Sequence, residues 1–171
     1  NATSGTPYPW GIPNDIGVNL SIKILDADNP QVTDVSNNTF AIKGSILVVQ
    51  PDGNENWLKG TQQQIQWKPT GTYPCNVLLQ YSSDGANWTN ITSLSAGSNN
   101  VVQTYNWTVP DILSDTLLVK ASTLMNKTSI DVNDTSNATF KVRGSVLVTA
   151  PNGGEIWYVN DTTRQIRWTA V

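Results

Sequence analysis

The sequence predicts an all-β chain made of tandem immunoglobulin-like (fibronectin-III-like) β-sandwich repeats of about 100 residues. Three observations lead there. Short β-rich runs recur at close intervals, bounded by Gly, Pro, Asn and Asp. No stretch carries a helical period. The chain also matches itself one hundred positions along, and such an internal period decides the architecture before any single element does.

The match is extensive. "SILVVQPDGNENW" (45–57) returns as "SVLVTAPNGGEIW" (145–157), with Ser45, Leu47, Val48, Pro51, Gly53, Glu55 and Trp57 unchanged. "QIQW" (64–67) returns as "QIRW" (165–168) after one inserted residue. Upstream, "YPWGIPNDI" (8–16) resembles "YNWTVPDIL" (105–113), and "DVSNNTFAIKGS" (34–45) resembles "DTSNATFKVRGS" (134–145). The chain therefore reads as the C-terminal part of one repeat (1–44), a complete repeat (45–144) and the N-terminal part of a third (145–171).

Within the complete repeat the expected strands are SILVVQ (45–50), QQIQW (63–67), NVLLQYS (76–82), NWTNITSL (87–94), QTYNWTV (103–109), TLLVKAST (116–123) and ATFKVR (138–143). Seven short strands, none longer than about eight residues, suit a sandwich; a β-barrel of similar size is the rival. Alternation sets the faces. Tyr105, Trp107 and Val109 share one side and Asn106 and Thr108 the other. In the last strand Ala138, Phe140 and Val142 turn inward, with Asn137, Thr139 and Lys141 outward. "NWTNIT" does not alternate, which leaves Asn87 and Asn90 unoriented. Trp57, Trp67, Trp88 and Trp107 are read as core, each burying roughly 150–250 Å², although Trp57 follows a turn. Cys75, the sole cysteine, allows no internal disulfide and reads as a small buried side chain.

Between repeats only Gly44-Ser45 and Gly144-Ser145 separate one strand from the next. A flexible linker would need a longer polar tract, so successive units are expected to hold a nearly fixed orientation.

Asn-x-Ser/Thr acceptor sites for N-glycans occur at Asn1, Asn19, Asn37, Asn87, Asn90, Asn106, Asn126, Asn133, Asn137 and Asn160. Random placement of 19 Asn and 34 Ser or Thr residues would give about four. An Asn- and Thr-rich β protein also makes such sites by accident, but ten point to an extracellular glycoprotein. Asn37 and Asn137 stand at the same place in the two copies, just before Phe40 and Phe140. The chain opens on Asn1 with no secretory leader, which reads as a processed chain or an excerpt of a longer polypeptide.

"PNGGEIWYVNDTTRQIRWT" (151–169), "VLLQYSSDGANWTNI" (77–91), "YNWTVP" (105–110) and "DVNDTSNATFKVRG" (131–144) together resemble the Ser/Thr-rich, GPI-anchored-membrane type of extracellular repeat. That family is related to the amino-terminal domain of yeast cell-wall glucan-synthesis proteins. The resemblance implies β-sandwiches strung in tandem in surface, cell-wall and secreted proteins, without common catalytic residues. "PDGNENW" departs from the double Gly at Asn54, which puts that turn in question.

Catalysis finds little footing. There is no histidine, hence neither the usual general base nor the commonest transition-metal ligand. Asp26, Asp28 and Asp34 in one copy and Asp131 and Asp134 in the other offer oxygen ligands for Ca²⁺. Their spacing differs between copies and fits no EF-hand, so solvated loops are the preferred reading and no cofactor is expected beyond covalent N-glycans. "SSDGANW" (82–88) is one residue short of a sialidase Asp-box, and Asp84-Gly85 reads as a strand-connecting turn. The chain is expected to be non-enzymatic. With 13% charged residues and a net charge of −3 it has no basic patch for nucleic acid, and no apolar run is long enough to insert in a membrane. Two functions stand. One is a structural section of a long, N-glycosylated extracellular fibre or cell-surface appendage, whose partners are other repeats or copies of the same polypeptide. The alternative is an adhesin module binding cell-wall or surface polysaccharide or a protein, which requires an exposed aromatic patch.

Overall fold

The computed structural model of the chain describes residues 5–125 and 130–170, and every described element is a strand. In chain order these are β1 (Gly17–Leu20), β2 (Lys23–Leu25), β3 (Thr33–Val35), β4 (Phe40–Ile42), β5 (Ser45–Gln50), β6 (Asn56–Leu58), β7 (Gln62–Thr70) and β8 (Asn76–Ser82). There follow β9 (Thr89–Ser95), β10 (Gln103–Thr108), β11 (Ser114–Thr123), β12 (Asn133–Thr135), β13 (Phe140–Arg143), β14 (Val146–Ala150) and β15 (Arg167–Ala170).

Residues 45–125 and 130–143 form an immunoglobulin-like, fibronectin-III-like sandwich. One sheet has the order β10-β7-β5; the other has the order β6-β13-β11-β8-β9, with β12 also pairing β11. All these pairings are antiparallel except β13 with β6. Both sheets end in edge strands, which separates the fold from a closed barrel. Alternate residues meet between the sheets: Ile46, Val48, Ile65, Trp67 and Trp107 from one, Val77, Leu79, Leu117, Val119, Phe140 and Val142 from the other. Trp57 packs on Phe140 with ring centroids 4.7 Å apart and edge-on to Trp107 at 6.2 Å. The indole nitrogen of Trp67 donates to the Ala96 carbonyl at 3.0 Å, so its one polar atom is satisfied inside the core.

Several expectations need correction. Two short strands escaped the sequence pattern, β6 and β12, because three residues are too few to show alternation. Two strands exceed eight residues: β7 has 9 and β11 has 10. Ala138 is exposed rather than inward, since β13 begins only at Phe140. "NWTNIT" failed to alternate because the β8–β9 register shifts between Leu79 and Gln80, a bulge that resets the facing of β9. Of the four tryptophans in this unit, Trp88 is half-buried outside the core, under the Lys120 ammonium 4.0 Å from its ring centroid. Cys75 is half-buried and packs against the core's edge.

The questioned turn is unchanged. Asn54 takes φ +69° where its counterpart Gly154 takes +81°, because Asn tolerates the left-handed region better than most side chains. Glu55 accepts from the backbone N–H of Asp52 and Gly53 at 2.9 Å each; Glu155 does the same for Asn152 and Gly153 at 2.8 Å.

Segments on either side pair in matching registers. Leu20 faces Phe40 as Leu117 faces Phe140, and Gly17 faces Ile42 as Ser114 faces Val142. Val48 faces Trp67 as Val148 faces Trp168. These flanking strands form two-stranded pairs with apolar sides open to solvent, including Ile24, Leu25, Val146 and Leu147.

Phe140→Ala should lower unfolding free energy by about 3–5 kcal/mol in urea denaturation, through lost burial plus a cavity beside Trp57.

Candidate functional site

The acceptor asparagines of the described residues are all exposed: Asn19, Asn37, Asn87, Asn90, Asn106, Asn133, Asn137 and Asn160. Asn1 and Asn126 lie outside the described residues. How the chain presents Asn37 and Asn137 is a local consequence of the serine before each. Between β12 and β13, Ser136 Oγ accepts the Val119 N–H at 2.9 Å and donates to the Val119 carbonyl at 3.2 Å. The side chain thus takes over a ladder position, and the backbone beyond it can leave the sheet without stranding Val119. Asn137 and Thr139 emerge into solvent in that gap. Ser36 makes the matching bond, accepting from Ile22 N–H at 3.2 Å, between β3 and β4. The repeated "SNxTF" is therefore a break in the last strand, with Phe resuming the core side.

Two of these side chains are held by carboxylates. Asn137 donates from Nδ2 to Asp52 at 3.1 Å, and its backbone N–H donates to the same carboxylate at 2.8 Å. Asn87 donates from Nδ2 to Asp84 at 2.7 Å. Asp84 also accepts from the N–H groups of Asn87 and Ala86 and from the Ser82 hydroxyl; led by the Asn87 N–H, these bonds hold its carboxyl far below the usual range. Gly85, at φ +72°, completes that turn. A glycosylated amide keeps one N–H, so these contacts and a sugar are chemically compatible. Asn90 lies on β9 and Asn106 on β10, edge strands of the two sheets.

The candidate acidic loops serve the backbone. Asp26 accepts from the N–H of Asp28 and Asn29 at 2.8 and 3.1 Å. Asp131 accepts from Met125 N–H, and Asp134 from Val48 N–H, each at 2.8 Å, the latter capping edge strand β5. Asp34 lies in β3 opposite Ile24. Among the described residues no three His, Cys, Asp or Glu gather as metal ligands. Burial raises the Cys75 thiol above its ordinary pKa, against a weaker lowering by the Leu124 backbone hydrogen bond, with Asp131 raising it further; this disfavours the reactive thiolate.

The sequence marked a joint at Gly44-Ser45; what sequence reasoning missed is the set of residues that hold it. Asn14, in the loop before β1, donates from Nδ2 to Thr72 Oγ1 at 2.9 Å and accepts the Thr72 N–H at 2.8 Å. Ile16 packs against the sandwich core, and Ile42 is buried. A Cβ on Gly44 would collide with the Thr70 carbonyl oxygen and lie 2.5 Å from the Tyr73 hydroxyl. Gly71 is equally confined, at φ +99° with Ile16 Cδ1 2.6 Å from where a Cβ would sit. The Tyr73 hydroxyl is buried here without a hydrogen-bond partner, and its pKa is pushed up to about 12, chiefly by burial and secondly by Cys75. The sequence signal was the missing linker length at Gly44-Ser45; nothing marks Asn14 or Thr72 as its partners.

No protein-family model and no curated protein matches the chain. Among solved structures, the fibronectin(III)-like modules of Clostridium thermocellum CbhA are similar at 17% identity and a TM-score of 0.34. That alignment covers 73% of this chain and 61% of the other, so the chain spans less than two thirds of that neighbour. The fold assignment rests on the strand order and not on this likeness.

Gly44→Ala should destabilise the protein by about 1–3 kcal/mol, as overpacking does where backbone cannot yield; thermal melts against wild type measure it. Tyr73→Phe should raise stability by about 1 kcal/mol at neutral pH, because it removes an unpaired buried hydroxyl. The folded state keeps the Tyr73 proton to about pH 12 while the unfolded chain releases it near 10. Wild type should therefore lose stability relative to Tyr73→Phe between those values, by about 1 kcal/mol per pH unit. Parallel curves in paired denaturation series would contradict this.

Proposed function

We propose that the chain is a structural section of a long, N-glycosylated extracellular fibre or cell-surface appendage, built of rigidly joined β-sandwich repeats. The observation that carries this reading is the joint at Gly44. Two hydrogen bonds between Asn14 and Thr72, the half-buried Ile16 and buried Ile42, and the confined Gly44 and Gly71 tie residues 14–44 to the turn at 70–73. Such contacts resist bending between units, which a force-bearing or distance-spanning protein needs and a freely swivelling array lacks.

The acceptor sites support the same reading. Sugars on Asn90 and Asn106 would lie over the outermost strands of the two sheets, where unpaired backbone groups otherwise invite pairing with other chains. Binding to polysaccharide has weaker support. Trp57, Trp67 and Trp107 are core, and the exposed Trp10, Trp157 and Trp168 occupy the counterpart positions in the flanking segments. Trp88 is the one tryptophan of the unit outside the core, and Lys120 already lies over its ring.

Intact mass before and after glycosidase treatment of protein from its native host tests the reading. Expected is a loss of several glycan masses, with sugars mapped to Asn90, Asn106 and Asn137; unmodified asparagines throughout would contradict it. Trp88→Ala should leave binding to cell-surface polysaccharide unchanged, and loss of such binding would favour the adhesin alternative.

A further inference from the structure

An open hollow of about 510 Å³ lies beside the loop before β11, lined by Leu113, Asp115, Val142, Arg143 and Gly144. Three features identify what it is. By register these residues are counterparts of the first joint: Leu113 of Ile16, Val142 of Ile42, Arg143 of Lys43 and Gly144 of Gly44. At the first joint the counterpart residues Ile16, Ile42, Lys43 and Gly44 face Thr70, Gly71, Asn99 and Asn100 across a hollow of about 260 Å³. At the second, Leu113 is 69% exposed.

We infer that the Leu113–Gly144 hollow is a socket for a turn of the Thr70–Tyr73 kind, presented by the sandwich that β14 and β15 open. This rests on the reading of serially joined units proposed above. The pairing of the two strands supports the occupant. β14 meets β15 as β5 meets β7, with a register shift at the same point, and the turn in question directly follows β7.

The chemistry of the socket narrows what the turn carries. Asn14, which both donates to and accepts from Thr72, is replaced by Asp111. Lys59 holds that carboxylate at 2.7 Å, yet the Asp111 side chain is 82% exposed. A carboxylate only accepts, so the incoming turn must offer donors: its backbone N–H and a hydroxyl or amide. An acidic residue at the Thr72 position would be repelled. Arg143 and Asp115, 3.1 Å apart, form a charged rim beside the apolar floor.

Two experiments test the socket. In the first, residues 71–144 of the chain's own sequence are added after Val171, which then stands at the position of Thr70. Leu113→Ser should lower the melting temperature of this extended chain by several degrees and leave the 171-residue chain within 1 °C, about the limit of the measurement. Equal effects in both would overturn the inference. The second needs no extension: Asn14→Asp with Ile16→Leu places the later lining against the turn already present. Protection of the Thr72 amide from hydrogen exchange should stay within about threefold of wild type, whereas Ile16→Ser should reduce it about tenfold or more. If the double variant loses protection as Ile16→Ser does, the later lining cannot hold such a turn and the inference falls. Neither readout involves sugars, so bare asparagines would undo the glycoprotein reading while leaving the socket standing. Failure of the socket would equally leave the glycan masses untouched.

Discussion

The backbone at Gly44 runs so close to the Thr70 carbonyl that a single methyl group has no room. That approach fixes the path of the chain as it passes from β4 into β5, and much follows from the path. It brings Ile16 onto the core's edge, sets Asn14 within reach of Thr72, and buries the Tyr73 hydroxyl. A longer or bulkier connection would free each of these groups to solvent. The stiffness proposed for the array is thus a matter of van der Waals exclusion first and hydrogen bonding second.

The sandwich supplies what the joint bears against. Its apolar faces are filled by β-branched residues and by aromatic rings; Trp57 packs on Phe140 within one sheet and meets Trp107 of the other edge-on. Packing of that kind changes cooperatively rather than gradually, so strain applied at one end is passed on instead of absorbed locally. Surface features are arranged around this core with little interference. The strand break after Ser136 lets an acceptor asparagine project outward while the next residue but two returns to the interior.

Much of this was legible in the residues. Period-two alternation located the long strands, because a half-buried strand must alternate. What escaped has physical reasons. β6 and β12 are three residues each, below the length at which alternation is visible. The bulge at Leu79–Gln80 shifts the facing of β9, and a sequence pattern presumes constant register. Trp88 was grouped with the core on size alone, whereas a ring on the outer face can shelter under a lysine. Asn54 was doubted because glycine is the default at positive φ, yet Asn is among the residues that visit it. The joint was visible only as missing linker length; its partners, 58 positions apart in sequence, belong to no motif.

The central claim is that residues 17–42 and the sandwich of residues 45–125 and 130–143 move as one body. Residual dipolar couplings of the backbone amides, measured in an aligned solution of the full chain, address it directly. A single alignment tensor fitting both segments is the expected result. Separate tensors of different magnitude for the two would mean that they reorient independently about Gly44, and the stiff joint would be wrong.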